Sequence, residues 1–355
     1  MNPQISVLMC AYNTEGYVEK AIRSILNQTF SDFEFLVIDN GSTDCTGTII
    51  DRLSQEDDRI SVVHNDENEP PSESLNTAMQ RAEGRYLYII DSDDWAEPEL
   101  LDKMYQRAEK HDAQLVYTGF YMDYCIKKKT YSFVVSPDDT DYTQQTFHSC
   151  AINDITRMML GVYWNKLVCL DYIREKGIRF QNTKMFDFHF NMDILMDVER
   201  VSSVGLPLYH YIRIRDGSYM KSDPGLNQKK RDHFVHTMKV YEHWGVSDNT
   251  MAKLAGYHLA QLIRCVIDTV NGNGSKAYKK RELEKIFSDE WTIFALENRP
   301  NGLKTTVFAL LLRSRSYMLC RMFGWLAGSF ERFMPGTYYA VRAAIAQKGE
   351  KNKAG

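Results

Sequence analysis

Three short polar clusters carry the residue types that could do chemistry. The densest is Asp91-Ser92-Asp93-Asp94. Three carboxylates within four residues repel one another unless a cation sits among them. Hard oxygen ligands of this kind suit Mg2+ or Mn2+, ions that commonly take substrate phosphates as further ligands. The plain alternative is a solvated acidic turn before the next helix, but the cluster directly follows the apolar run Tyr86-Leu87-Tyr88-Ile89-Ile90. A second cluster reads Asp39-Asn40-Gly41-Ser42-Thr43-Asp44, and a third reads Cys10-Ala11-Tyr12-Asn13. Either could be an ordinary turn, with Gly41 for the backbone, Ser42 as a helix cap and Tyr12 as a core ring. Taken together they offer one aromatic face with amide and carboxylate groups, suited to a nucleobase and its ribose.

The elements that must position these clusters follow from periodicity. Ile5–Cys10, Phe33–Asp39, Ile60–His64, Tyr86–Asp91 and Leu115–Thr118 read as strands. Between them, helical spacing predicts helices over Tyr17–Gln28, Thr43–Leu53, Ser72–Ala82 and Pro98–Glu109. This alternation predicts an α/β fold with a mostly parallel central sheet and helices on both faces. Ligands of such sheets bind beyond the carboxyl ends of the strands, where all three clusters fall. Tyr121–Phe147 reads as a hairpin or excursion, Ile152–Leu170 and Phe188–Val198 as helices, and Leu206–Ile214 as a strand. Beyond Asp216 strand signals stop, and Asn227–Val270, Lys279–Phe287 and Thr305–Gln347 read as helices.

The ordered segments Ser6-Val-Leu-Met-Cys-Ala-Tyr-Asn13, Ala21-Ile-Arg-Ser-Ile-Leu-Asn-Gln-Thr-Phe30, Phe35-Leu-Val-Ile-Asp-Asn-Gly-Ser-Thr-Asp44 and Asp91-Ser-Asp-Asp-Trp95 resemble family 2 glycosyltransferases with the GT-A (Rossmann-like) fold. The likeness spans roughly residues 4–105. It continues more thinly through Trp164-Asn165-Lys166-Leu167, Gly177-Ile178-Arg179-Phe180 and Pro207-Leu208-Tyr209-His210-Tyr211 to about Ser218, leaving 219–355 uncovered. The resemblance implies an inverting enzyme of bacterial polysaccharide synthesis. It implies that Ala11, Tyr12, Asn13, Asp39, Asn40 and Asn76 surround the nucleotide, that Asp91 and Ser92 face the ribose, and that Asp93 and Asp94 carry Mn2+ or Mg2+. It further places His210, Arg213 and Arg215 near the donor diphosphate, as phosphate ligands or part of a lid; a solvated strand face is the alternative. Asp187 matches the family's catalytic base, with apolar neighbours that would raise its pKa toward a useful range.

The chain departs from the family's pattern at several positions. Phe186 stands where a Glu usually precedes Asp187, and Asn40 stands where a second Asp is common. In Glu69-Pro70-Pro71-Ser72-Glu73-Ser74-Leu75-Asn76 the prolines replace flexible glycines and Leu75 replaces an Arg, removing one expected diphosphate contact. Neither GxGxxG nor GxxxxGK[ST] occurs, which argues against dehydrogenases and P-loop enzymes. A metal-dependent nucleotidyltransferase and a non-catalytic partner subunit are the competing readings.

The bulk numbers allow about two domains in 355 residues and give no sign of nucleic-acid binding at a net charge of −4. Seven scattered cysteines without a CxxC pair, and a start without an apolar signal stretch, predict a cytoplasmic protein. Charge is unevenly distributed: residues 301–355 hold nine Lys/Arg and two acids, so residues 1–300 carry −4 − 7 = −11. The basic, aromatic tail (Val307–Leu312, Tyr317–Phe330, interrupted by Arg313, Arg315 and Arg321) predicts contact with an anionic membrane surface, peripheral on the inner face of the plasma membrane, or packing in a homodimer. The expected organisation is a catalytic domain over 1–218, a helical acceptor-side or packing region over 219–300, and basic amphipathic helices over 301–355. The expected partners are a nucleotide-sugar donor and a glycan or lipid-linked acceptor.

Overall fold

The computed structural model describes residues 2–126, 129–155, 157–214 and 225–333. They form two compact units, one built from Met1–Cys125 and Ser132–Arg213, the other from Ile126–Tyr131 and Ile214–Gly355.

The first unit is the expected α/β body. Strands β1 (Ile5–Ala11), β2 (Phe33–Asp39), β3 (Ile60–His64) and β4 (Tyr86–Ile89) alternate with α1 (Val18–Leu26), α2 (Thr46–Ser54) and α3 (Pro71–Arg81). β1 pairs in parallel with both β2 and β4, and β2 with β3. β1, β2 and β4 are near-continuous runs of buried Val, Ile, Leu and aromatic residues, as a covered parallel sheet requires, while β3 at the edge buries only Ile60. Pro71 opens α3, where its missing N–H costs nothing. α2 begins later than its sequence pattern suggests, because the Asp44 carboxylate, not Ser42, accepts the Thr46 N–H at 2.9 Å.

Beyond β4 the chain adds β5 (Trp95–Ala96), α4 (Leu100–His111), β6 (Leu115–Ile126), β7 (Lys129–Val135), β8 (Thr140–Thr143), α5 (Gln144–Ile155), β9 (Lys166–Cys169), α6 (Leu170–Glu175), α7 (Phe186–Asp197) and β10 (Arg200–Ile214). The sheet runs β3-β2-β1-β4-β9-β6-β10-β5, with β7 on β6 and β8 on β10. One expectation fails here. Ile152–Leu170 is not a single helix: α5 ends at Ile155, and Lys166–Cys169 inserts between β4 and β6, antiparallel to both. Lys166, Leu167 and Val168 are all buried, and a strand of four residues is too short to separate from helix by periodicity.

The second unit holds α8 (Leu226–His243), α9 (Asp248–Asn271), α10 (Lys276–Ser288), α11 (Glu290–Asn298), α12 (Leu303–Arg313) and α13 (Tyr317–Phe333). α8 and α9 are two helices and not one, broken at Gly245, whose φ of 61° suits glycine. One core joins Leu259, Leu262 and Val266 of α9 to Ile286, Ala295, Leu312 and Cys320, so residues on both sides of position 300 share it. The predicted helix over 334–347 lies outside the described residues. Among the described residues no helix is long and apolar enough to cross a membrane, and all seven cysteines are free thiols.

His258 of α9 is 1% exposed and stacks on Phe234 at 3.8 Å, and neither ring nitrogen has a hydrogen-bond partner. Burial pushes its pKa down from 6.5 to about 3. The folded value lies below the unfolded one, so the neutral ring's contribution is complete above 6.5 and is lost as pH falls from there toward 3. At roughly 1.36 kcal/mol per pH unit the penalty reaches about 3 kcal/mol near pH 4. His258→Leu is expected to flatten the fall in melting temperature between pH 6.5 and 4; parallel curves for variant and wild type would discard His258 as its source.

Candidate active site

The carboxyl ends of β1, β2 and β4 lie side by side because β1 sits between the other two. Their loops are tied together by side chains. Asn13, held at φ 50°, accepts from the Thr43 N–H at 2.8 Å, and its own N–H donates to Ser42 Oγ. Thr14 Oγ1 donates to Ser92 Oγ at 3.2 Å, and the Thr14 N–H donates to Thr46 Oγ1 at 2.8 Å. The Cys10 thiol, between Asp39 and Asp91 and bonded to Ser74, is pushed up to about 12, chiefly by burial.

Asp91, Asp93 and Asp94 place one carboxylate oxygen each within 4.8 Å of one another. The three differ in what holds them. Asp94 is 2% exposed; its Oδ2 accepts from the Tyr209 hydroxyl at 2.9 Å and its Oδ1 from the Ile212 N–H at 2.7 Å. Burial first, and then the Asp91 charge, hold the Asp94 carboxyl well above its usual range. Asp91 and Asp93 are only partly buried. Asp91 Oδ1 accepts from the Tyr163 hydroxyl at 2.5 Å, and its N–H donates to Tyr209. The donor set fits a hard divalent cation: all-oxygen and closely gathered.

Asp187 opens α7, in its first turn. Burial raises its pKa, opposed by the Phe188 and Asp187 N–H groups and by the Lys166 charge. Tyr163 is partly buried; its hydroxyl donates to Asp91, and the charges of Asp91 and Asp187 add to the burial that raises its pKa. The Tyr163 loop is fixed from behind by Lys166, whose ammonium donates to the Met159 and Val162 carbonyls and to Asn165 Oδ1. Asn165 in turn donates to the Thr118 and Met159 carbonyls. Neither Tyr163 nor this clamp emerges from sequence reasoning. The one available signal was an aromatic immediately before Trp164-Asn165-Lys166.

The nucleotide side divides the expected contacts into two groups. Tyr12 stands 42% exposed at the end of β1, beside Ala11, whose carbonyl holds the Asn40 N–H. Asp39 accepts from the Ser42 N–H at 3.1 Å and pairs with His64 Nδ1 at 3.0 Å, a bond that raises the His64 pKa. Gly47 is required there, since a Cβ would lie 2.5 Å from Asp39 Oδ2. Asn40 is fully buried: its Oδ1 accepts from Asn65, Glu69 N–H and Ser74, and its amide donates to Asn68 and the Glu69 carbonyl. Both ends of its amide are thus engaged inside the protein. Asn76 exchanges two 2.9 Å bonds with the Phe180 backbone. Leu75, at the position of the missing Arg, is buried in the core.

His210 is also committed within the protein. Its ring nitrogens pair with Asp123 at 2.8 Å and Glu97 at 2.9 Å, and its ring is stacked between Trp95 and Tyr121. A phosphate would have to displace a carboxylate to reach it, so its place is that of a brace joining β5, β6 and β10. Arg213 is exposed, with Nη1 donating to the Tyr211 hydroxyl at 3.2 Å. Arg215 lies outside the described residues. Tyr209 and Tyr211, two apart on one strand face, both stack on Trp164.

An acidic cluster at the carboxyl ends of a Rossmann-like sheet, with the part-buried Asp187 carboxylate at the start of α7, lies in a fold of the GT-A class. Residues 6–153 match the profile described as Glycosyl transferase family 2, and over this segment the chain is similar to glycosyltransferases of that family. It is 28% identical over 234 residues to the glycosyltransferase GlyG of Streptococcus pneumoniae serotype 4, covering 63% of this chain and 75% of that one. It is 24% identical over 311 residues to the uncharacterized glycosyltransferase EpsJ of Bacillus subtilis, covering 84% and 88%. Among solved structures, residues 1–349 of S. aureus TarS share the fold at a TM-score of 0.58 and 17% identity, over 89% of this chain and 93% of that one. The same TarS segment has been solved with UDP-GlcNAc, aligning at a TM-score of 0.51 and 15% identity over 90% of each chain.

Proposed function

We propose that this chain is an inverting, metal-dependent hexosyltransferase that moves a sugar from a UDP-sugar to a hydroxyl of a glycan or lipid-linked acceptor in cell-surface polysaccharide synthesis. The observation that supports the reading is the gathering of Asp91, Asp93 and Asp94 at the carboxyl end of β4, where Asp91 accepts from the hydroxyl of Tyr163, itself within the electrostatic reach of Asp187. In this reading residues 1–218 are the catalytic domain. Tyr12 stacks on the base, and Asp39, oriented by His64, meets its polar edge. The resemblance implies that Asp93 and Asp94 carry the metal; because both Asp94 oxygens accept hydrogen bonds from Tyr209 and Ile212, this reading takes Asp91 in place of Asp94. Asp93 and Asp91 would then hold Mn2+ or Mg2+, which neutralises charge on the departing diphosphate when bound. Asp187 removes the acceptor's proton as its oxygen attacks the anomeric carbon from the face opposite the nucleotide, a single displacement with inversion. UDP is favoured as the base because the TarS fold relative is bound to UDP-GlcNAc.

The test is a nucleotide-release screen with common UDP-, GDP- and dTDP-sugars, with and without Mn2+ or Mg2+. Metal-dependent release of UDP from one donor is expected, because a competent donor site leaks slow hydrolysis. No release and no thermal shift with any donor would leave the non-catalytic partner reading in its place.

A further inference from the structure

We propose that the hairpin of α12 and α13 seats an outward apolar face in an anionic lipid surface. The inference rests on the second unit alone and is independent of the catalytic reading. The inner side of the hairpin is well packed: Ala309, Leu312 and Cys320 are buried, and Gly324 lets α13 approach α9 so closely that a Cβ there would collide with Val270. The outer side is apolar as well. On α12 Leu303 is 84% exposed, Val307 43% and Leu310 64%, a spacing of four and three that forms one stripe. On α13 Met318 is 79% exposed, Met322 56% and Leu326 59%, again one stripe. An exposed face of this extent marks an interaction surface.

Charge identifies the occupant. From Leu303 to Ala327 there are four cations, Lys304, Arg313, Arg315 and Arg321, and no Asp or Glu. The three arginines are exposed. Large apolar side chains flanked by long basic ones are the composition of a helix lying in the headgroup region: the apolar side chains enter the acyl boundary and the guanidinium groups reach the phosphates. A second copy would bring the same basic face against this one, since a two-fold interface pairs identical patches.

The experiment is co-sedimentation of the full chain with phosphatidylcholine vesicles and with 3:1 phosphatidylcholine:phosphatidylglycerol vesicles, at low and high salt. Binding to the anionic vesicles alone, weakened by salt, is expected. Leu310→Glu/Met322→Glu alters exposed positions only, and unchanged melting of that variant would certify its fold. It should cut vesicle binding at least tenfold, as should Arg315→Glu/Arg321→Glu. Failure of the wild type to bind anionic vesicles would overturn the proposal. So would binding indifferent to both variants, or a variant that changes only the mass seen by light scattering, which would give the face to a second copy.

Discussion

Asp187→Asn is expected to lower the rate of transfer by about a hundred- to ten-thousand-fold, the usual contribution of a positioned general base, while leaving UDP affinity unchanged. Asparagine keeps the size of the side chain and its place at the start of α7, so the loss isolates proton transfer. The pH profile supplies a second readout. Burial raises the Asp187 pKa above the ordinary aspartate value, and a base works only when ionised. The acid limb of kcat/KM should therefore lie at higher pH than a surface aspartate would give, and it should be absent from the residual activity of the variant. The limb stays modest because Lys166, itself held well below its usual value by burial, still favours the Asp187 charge. A variant retaining its rate within tenfold, with its acid limb in place, would move the base to another residue.

The parallel half of the sheet was legible because each strand is a continuous apolar run ending in a polar cluster, and topology then fixes where ligands go. The metal cluster was legible for a similar reason: three adjacent carboxylates are a local signal. What the sequence could not display is which polar side chains the protein itself consumes. Asn40 and Asn76 look like donor contacts as residue types, yet each is held inside the protein by partners 25 to 104 positions away. His210 sits in a segment resembling a phosphate site, but its neighbours Asp123 and Glu97 are 87 and 113 residues distant. Tyr163 was invisible for the same reason in reverse: nothing local distinguishes it from a core aromatic, and its role appears only when β9 brings its loop beside β4. Finding β9 depended on an antiparallel insertion that no β-α alternation announces.

The same distinction between consumed and available groups separates two neighbouring aspartates. Asp93→Ala is expected to abolish metal-dependent stabilisation by UDP and to reduce donor turnover at least a hundredfold, with little change in the melting temperature of the protein alone. Asp93 is partly exposed within the cluster, so its loss removes a ligand and relieves repulsion. Asp94→Ala should behave differently. Its carboxylate is the buried acceptor for the Ile212 N–H and the Tyr209 hydroxyl, and removing it leaves both donors unsatisfied at about 1–3 kcal/mol each. The fold should lose several degrees of melting temperature, and β10 should lose its fixed register beside the site. The comparison is made by thermal shift with and without Mn2+ and UDP on both variants. If Asp94→Ala melted like the wild type and lost only the metal response, while Asp93→Ala kept that response, the cation would belong to Asp94 and the anchoring of β10 would have to come from the stack of Tyr209 and Tyr211 on Trp164.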